Sequence, residues 1–225
     1  MDPAPFRLFG PGHLAALAAV GAAGAVLCAA TARGGPGVSR AVRAGLAALL
    51  LGLTALTLVL VARERPLTIW DALPLHLCDA AIFLAVYALL ARRRAAAELL
   101  WFWAGGATSI AMLTPNLAAG PPDWYFFTFF ALHGSVVVSA AVLTLGAGLA
   151  PRPGAPWRAL LATNVYAAAV AVVDLLFRQN YLFLCARPEA RTVLDWLGPW
   201  PVYLLACEIL AAGLFLLLYL PFRER

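Results

Sequence analysis

Seven stretches of this chain are long and apolar enough to cross a bilayer, and together they occupy most of it. They run over about residues 12–32, 42–62, 69–91, 95–115, 124–149, 157–178 and 200–222. Each has the roughly 20 residues that a helix needs to span about 30 Å of hydrocarbon. In lipid every backbone N–H and C=O must be satisfied within the protein, which leaves helices or a closed barrel. None of the runs alternates like a barrel strand, so all seven are expected to be helical. Little is left over in 225 residues, and the expectation is one domain, 1–225, an all-α polytopic bundle of seven transmembrane helices.

Composition agrees. Hydrophobic residues make up 64% of the chain and charged ones 12%, against about a quarter charged in soluble domains; the mean hydropathy is +0.87. The net charge of +5 comes from arginine alone, 16 of them, lying between the apolar runs rather than in one patch. Such a pattern sets topology and does not indicate nucleic-acid binding. One side collects ten arginines, Arg33, Arg40, Arg43, Arg92, Arg93, Arg94, Arg152, Arg158, Arg223 and Arg225; the other has six, Arg7, Arg63, Arg65, Arg178, Arg187 and Arg191. The bias predicts N-terminus out and C-terminus in. Trp70, Trp124, Tyr125, Tyr181, Trp196, Trp200 and Tyr203 then form an aromatic belt at the outer rim. Residues 13–32 end in small residues like a signal peptide, but Asp2, a single Arg7 and Pro11-Gly12 do not make a positive start, so a retained first helix is expected.

Four scattered cysteines, Cys28, Cys78, Cys185 and Cys207, form no CxxC pair and indicate neither a disulfide framework nor a zinc knuckle. No internal repeat supports an inverted-repeat transporter. The informative residues are polar ones inside the spans, where ionisable groups are costly and point to function. The third span carries LPLHLCD, with His76, Cys78 and Asp79 close together; the fifth carries His133, the fourth Thr108 and Ser109, the sixth Asn164 and Asp174, the seventh Glu208. Counted at 1.5 Å per residue from the outer ends, Cys78, His133 and Glu208 all fall roughly 12 to 14 Å deep. A shared polar layer on different helices suggests one site.

Cys78 as nucleophile with His133 as its base is the sharpest chemistry these residue types offer, because cysteine attacks as the thiolate and a histidine in reach generates it. Asp79 points about 100° away around the helix and suits an orienting role, and His76 lies nearly opposite Cys78 and is a supporting residue. The plainer reading is a small buried cysteine and an interhelical histidine hydrogen bond. His76, Asp79, His133 and Glu208 are also metal-ligand types, but without an HxxxH or ExxH pair no metal is expected. No cofactor is expected either.

The stretches LPLHLCD at 73–79, LTPNL at 113–117, FFALHG at 129–134, NYLFLCARP at 180–188 and LGPWPVY at 197–203 resemble the YwaF-like bacterial integral membrane proteins, related to the eukaryotic transmembrane protein 164, an acyltransferase acting on ether phospholipids. The resemblance implies a multi-pass protein of the bacterial cytoplasmic membrane. It implies acyl transfer through Cys78, which takes an acyl chain from a phospholipid as a thioester, and His133, which assists attack by a lysophospholipid hydroxyl. Membrane phospholipids are then the expected partners; donor and acceptor identity do not follow, and no protein partner is indicated. Asn180, Tyr181 and Arg187 gain a reading as head-group contacts at the outer mouth, and Ser109 and Glu208 as supporting groups. A non-catalytic carrier or receptor using the same polar cavity is the alternative.

Overall fold

The computed structural model describes residues 4–187 and 196–224; Arg191 and Arg225 of the arginine count lie outside them. The helices are α1 Pro11–Arg33, α2 Gly35–Glu64, α3 Ile69–Ala72, α4 Leu77–Ala91, α5 Arg94–Leu113, α6 Trp124–Gly146, α7 Ala155–Phe177 and α8 Val202–Phe222. No β-strand occurs among the described residues. Six of these helices, all but α3 and α4, are long and apolar enough to cross a membrane. The protein is therefore an all-α, multi-pass membrane protein.

The third apolar run differs from its expected form. Instead of one helix over 69–91 it is a single turn, α3, followed by an extended Leu73–His76 and a 15-residue helix, α4. Pro74 accounts for the break, since its ring disfavours helical backbone at the residue before it and it has no N–H to donate. Leu73 accordingly has φ −75° and ψ 121°. The second run differs in the other direction. Its helix begins at Gly35 rather than near residue 42, because Pro36 fits the first turn of a helix and Gly34 alone separates it from α1.

The centre of the bundle is α4, α5 and α6. α4 packs on α2, α5 and α6, and α1 lies along α6 and α2. Ala85, Ala88, Leu89, Leu100, Phe102, Val136 and Leu143 are buried there. Small residues set the approach of α1 to α6, for a Cβ at Gly134 would stand 2.5 Å from Val20 Cγ2. α7 and α8 pack on each other at the margin, with Leu161, Leu175, Leu205 and Ile209 exposed, as residues facing lipid should be. At the arginine-rich end the buried Glu98 of α5 accepts from Arg152 Nε at 2.7 Å and Arg158 Nη2 at 3.1 Å. That clamp ties α5 to the start of α7.

Candidate functional site

The break in the third run leaves backbone carbonyls without helical partners, and tyrosines from elsewhere satisfy them. Tyr166 of α7 donates its hydroxyl to Pro74 O at 3.2 Å and Leu75 O at 3.0 Å. Tyr181 donates to Trp70 O at 2.6 Å. Non-helical backbone at membrane depth is tolerated only where protein covers it in this way. The cover is the segment after α7. Tyr181 is buried, its N–H is held by Asp174 Oδ1 at 2.9 Å, and its ring meets His76 edge-on at 5.1 Å. Phe183 packs against the same imidazole, and Leu182 N–H reaches His76 Nδ1 at 3.5 Å. Tyr203 donates to Phe183 O and Trp200 Nε1 to Leu184 O at 2.8 Å, fixing this cover to the start of α8.

His76 is the N-cap residue of α4, yet its side chain makes no capping bond. The first bond back to the cap is Ala80 N–H to His76 O at 2.9 Å. Among the described residues the amides of Leu77, Cys78 and Asp79 donate to nothing, as the first turn of an uncapped helix leaves them. Cys78 thus stands in the first turn of a half-helix, at the positive end of its dipole. The thiol lies within electrostatic reach of the Asp79 carboxyl and meets the Thr108 hydroxyl. Thr108 comes from a π-helical segment, Ala104–Thr108, and is fully buried. Such segments redirect side chains, often at functional sites. Gly105 within it admits α8, since a Cβ there would meet Leu218 Cδ1 at 2.8 Å.

Asp79, the next residue, lies within electrostatic reach of His76, Tyr125, Tyr166 and Tyr181. Tyr125 and His133 are eight residues apart on α6 and share a face, because eight residues turn a helix by about 80° beyond two full turns. His133 Nδ1 lies 2.9 Å from Phe129 O, and Phe129 stacks on the imidazole at 4.1 Å. A carbonyl only accepts, so Nδ1 carries a proton.

Of the residues singled out from sequence, His76, Cys78 and Asp79 thus gather at the break, with Tyr181 covering them. Among the described residues no hydrogen bond joins Cys78 to His133. Ser109 donates to Ala104 O at 2.8 Å within the π turn. Glu208 is elsewhere, accepting from Asn164 Nδ2 at 2.7 Å on the α7–α8 pair. Asn180 holds its own loop together, with Oδ1 accepting from Cys185 N and Ala186 N and Nδ2 donating to Ala186 O. Arg187 is exposed beyond that loop. Among the described residues no three His, Cys, Asp or Glu side chains are placed so that they could hold one metal ion. Tyr166 is not among the residues singled out from sequence, nor is the third histidine, His13, which is buried between Phe9 N–H and Met112 O, each at 2.9 Å. A tyrosine in an apolar run carries no local signal of the carbonyl it will meet.

A separate cavity of about 550 Å³ lies between α1, α2 and α6, lined by Ala19, Leu49, Phe127, Phe130 and Gly134 among others. It is almost wholly apolar and His133 is not among the residues that line it, so the polar chemistry is not there.

Residues 8–219 match the model of the TMEM164 family. An uncharacterized protein of Treponema pallidum (strain Nichols) is 30% identical over 155 residues, which are 68% of this chain and 63% of that one. The chain therefore spans less than two thirds of the length of the curated relative it matches. No solved structure matches. Of the two names in the sequence resemblance, the matching model carries that of transmembrane protein 164.

Proposed function

The chain belongs to the TMEM164 family, and from that premise we propose that it is a membrane-embedded phospholipid acyltransferase, acting in a bacterial cytoplasmic membrane through Cys78 and His133. The observation that carries the proposal is the placement of Cys78 in an uncapped half-helix start at the break in the third run. The free amides of Leu77, Cys78 and Asp79 are the donors that a tetrahedral oxyanion requires. Catalytic hydrogen bonds are often loose until substrate binds, so the Cys78–His133 bond belongs to the substrate complex.

In the first half-reaction His133 Nε2 takes the Cys78 proton and the sulfur attacks an acyl ester carbonyl of a phospholipid. The ester C–O bond breaks, and the leaving lysophospholipid oxygen takes the proton from His133. A thioester remains on Cys78. In the second half-reaction a lysophospholipid hydroxyl gives its proton to His133 and attacks the thioester, and the thiolate leaves and is reprotonated. Water in place of that hydroxyl makes the same site an acyl hydrolase. Phe129 O, by holding Nδ1–H, keeps the ring in the tautomer this sequence needs.

The protein in liposomes, given acyl-labelled phospholipid and a lysophospholipid acceptor, is expected to transfer label. Cys78→Ser and His133→Ala should each lose about 100-fold or more. Transfer at the wild-type rate by both variants would overturn the proposal. The broken run also favours a second reading, a carrier for an anionic molecule held at a half-helix N-terminus. That reading requires saturable binding that survives Cys78→Ala without any acyl transfer.

A further inference from the structure

Arginines at the ends of spans ordinarily sit in water or against lipid head groups and set topology. At the arginine-rich end of this protein two groups of them behave differently. Arg152 and Arg158 share the Glu98 carboxylate. Arg40, Arg43 and Arg92 instead converge on a cavity of about 300 Å³ that Thr31, Gly35 and Ser39 also line. Among the described residues no carboxylate pairs with any of the three. Arg40 and Arg92 are the charges acting most strongly on Arg43.

Burial makes this more than a solvated cluster. Arg43 is only 8% exposed, and Thr31 6%. Arg43 Nη1 donates to Leu89 O at 2.6 Å, capping the last turn of α4, but among the described residues its Nε has no partner, and neither has Thr31 Oγ1. The N-terminus of the 30-residue α2 opens at the same place with no side-chain cap. Free amides, a helix dipole and forked guanidinium donors all favour one kind of ligand. Three like charges facing one another across buried donors are at a disadvantage until an anion joins them.

We infer that this cavity is a binding site for a phosphate group, held by Arg40, Arg43, Arg92 and the start of α2. Its volume is roughly ten times a water's share of the liquid, room for a phosphate with some solvent. The group can come from an anionic lipid of the adjoining leaflet or from free phosphate. Leu89 lies twelve residues along α4 from Leu77, roughly 18 Å away, so the inference does not rest on acyl transfer at Cys78.

The full chain is placed in phosphatidylcholine nanodiscs, and its thermal midpoint is followed by tryptophan fluorescence. One arm titrates inorganic phosphate; the other replaces part of the lipid with phosphatidic acid. A rise in both arms assigns any phosphate, and a rise with phosphatidic acid alone assigns the lipid head group. In either case Arg40→Gln/Arg92→Gln should weaken the response about tenfold or more, through loss of charge-assisted hydrogen bonds. Both side chains are exposed, so the variant should fold, and each single substitution gives an intermediate response if the pair does not. Arg152→Gln, outside the cavity, should leave the response unchanged. No rise in either arm, or an equal rise in wild type and the Arg40/Arg92 variants, would overturn the inference.

Discussion

The third and fifth apolar runs have similar length and hydropathy, yet one is broken and the other continuous. α6 starts at Asp123, whose carboxylate accepts from Tyr125 N–H at 2.9 Å and Phe126 N–H at 3.2 Å. α4 starts at His76, which caps nothing. The capped start follows the Gly120-Pro121-Pro122 turn, with Pro121 and Pro122 exposed; the uncapped one lies beyond Pro74, inside a cover of aromatic side chains. Hydropathy counts a run and says nothing of where its helix begins. That is decided by proline and by the capping residue, and in this protein it decides where first-turn amides are left free.

Exchanging the two kinds of start should have the largest effect. His76→Asp places a capping carboxylate where α4 has none, occupying the amides beside Cys78. Transfer should fall by about 100- to 1,000-fold, the scale of a lost oxyanion donor, while the thermal midpoint holds or rises. A loss of stability in step with activity would break the comparison. Next is Tyr166→Phe, which strips the Pro74 and Leu75 carbonyls of their donor. Denaturation should show a cost of about 1 to 3 kcal/mol for the buried unsatisfied groups, with a reduced kcat.

Asp123→Ala is the converse change on α6. It should cost about 0.5 to 2 kcal/mol, measured by the same unfolding assay, with transfer by the folded protein unchanged. The smallest effect is expected at Asp71, on the surface turn α3. Arg65 and then Thr68 hold its carboxyl well below the ordinary carboxylate value. A lowered folded value means that the contribution is complete above the unfolded value of about 3.9 and lost only as pH falls below it. Asp71→Asn should therefore differ little from wild type, by an amount that is constant between neutral pH and about pH 5 and shrinks in high salt.

Much of this contrast was legible in the sequence. The apolar runs located six long helices with ends displaced by only a few residues at most boundaries, and Thr68-Ile69-Trp70-Asp71 has the spacing of the capping box that starts α3. Pro74 was visible inside the third run, but a hydropathy window averages over it. Depth is unevenly legible for the same reason: Leu73–His76 is extended and rises about 3.3 Å per residue rather than 1.5 Å, so residue count does not fix the level of Cys78. Glu208 was placed with Cys78 by that arithmetic and is found on Asn164 instead, because depth specifies a level and helix rotation specifies a neighbour. The amides of the first turn of α4 left no trace in residue types, since backbone donors belong to every residue and only the local fold frees them.

On the proposed mechanism the uncapped start of α4 makes Cys78 an acyl carrier. The most direct measurement is the mass of the Cys78 peptide after the purified protein has met phospholipid without an acceptor. A mass increase of one acyl chain on Cys78 is expected, released by neutral hydroxylamine and discharged when lysophospholipid is added. An unmodified Cys78 in protein that is turning over the same phospholipid, or acyl transfer that persists in Cys78→Ala, would contradict it.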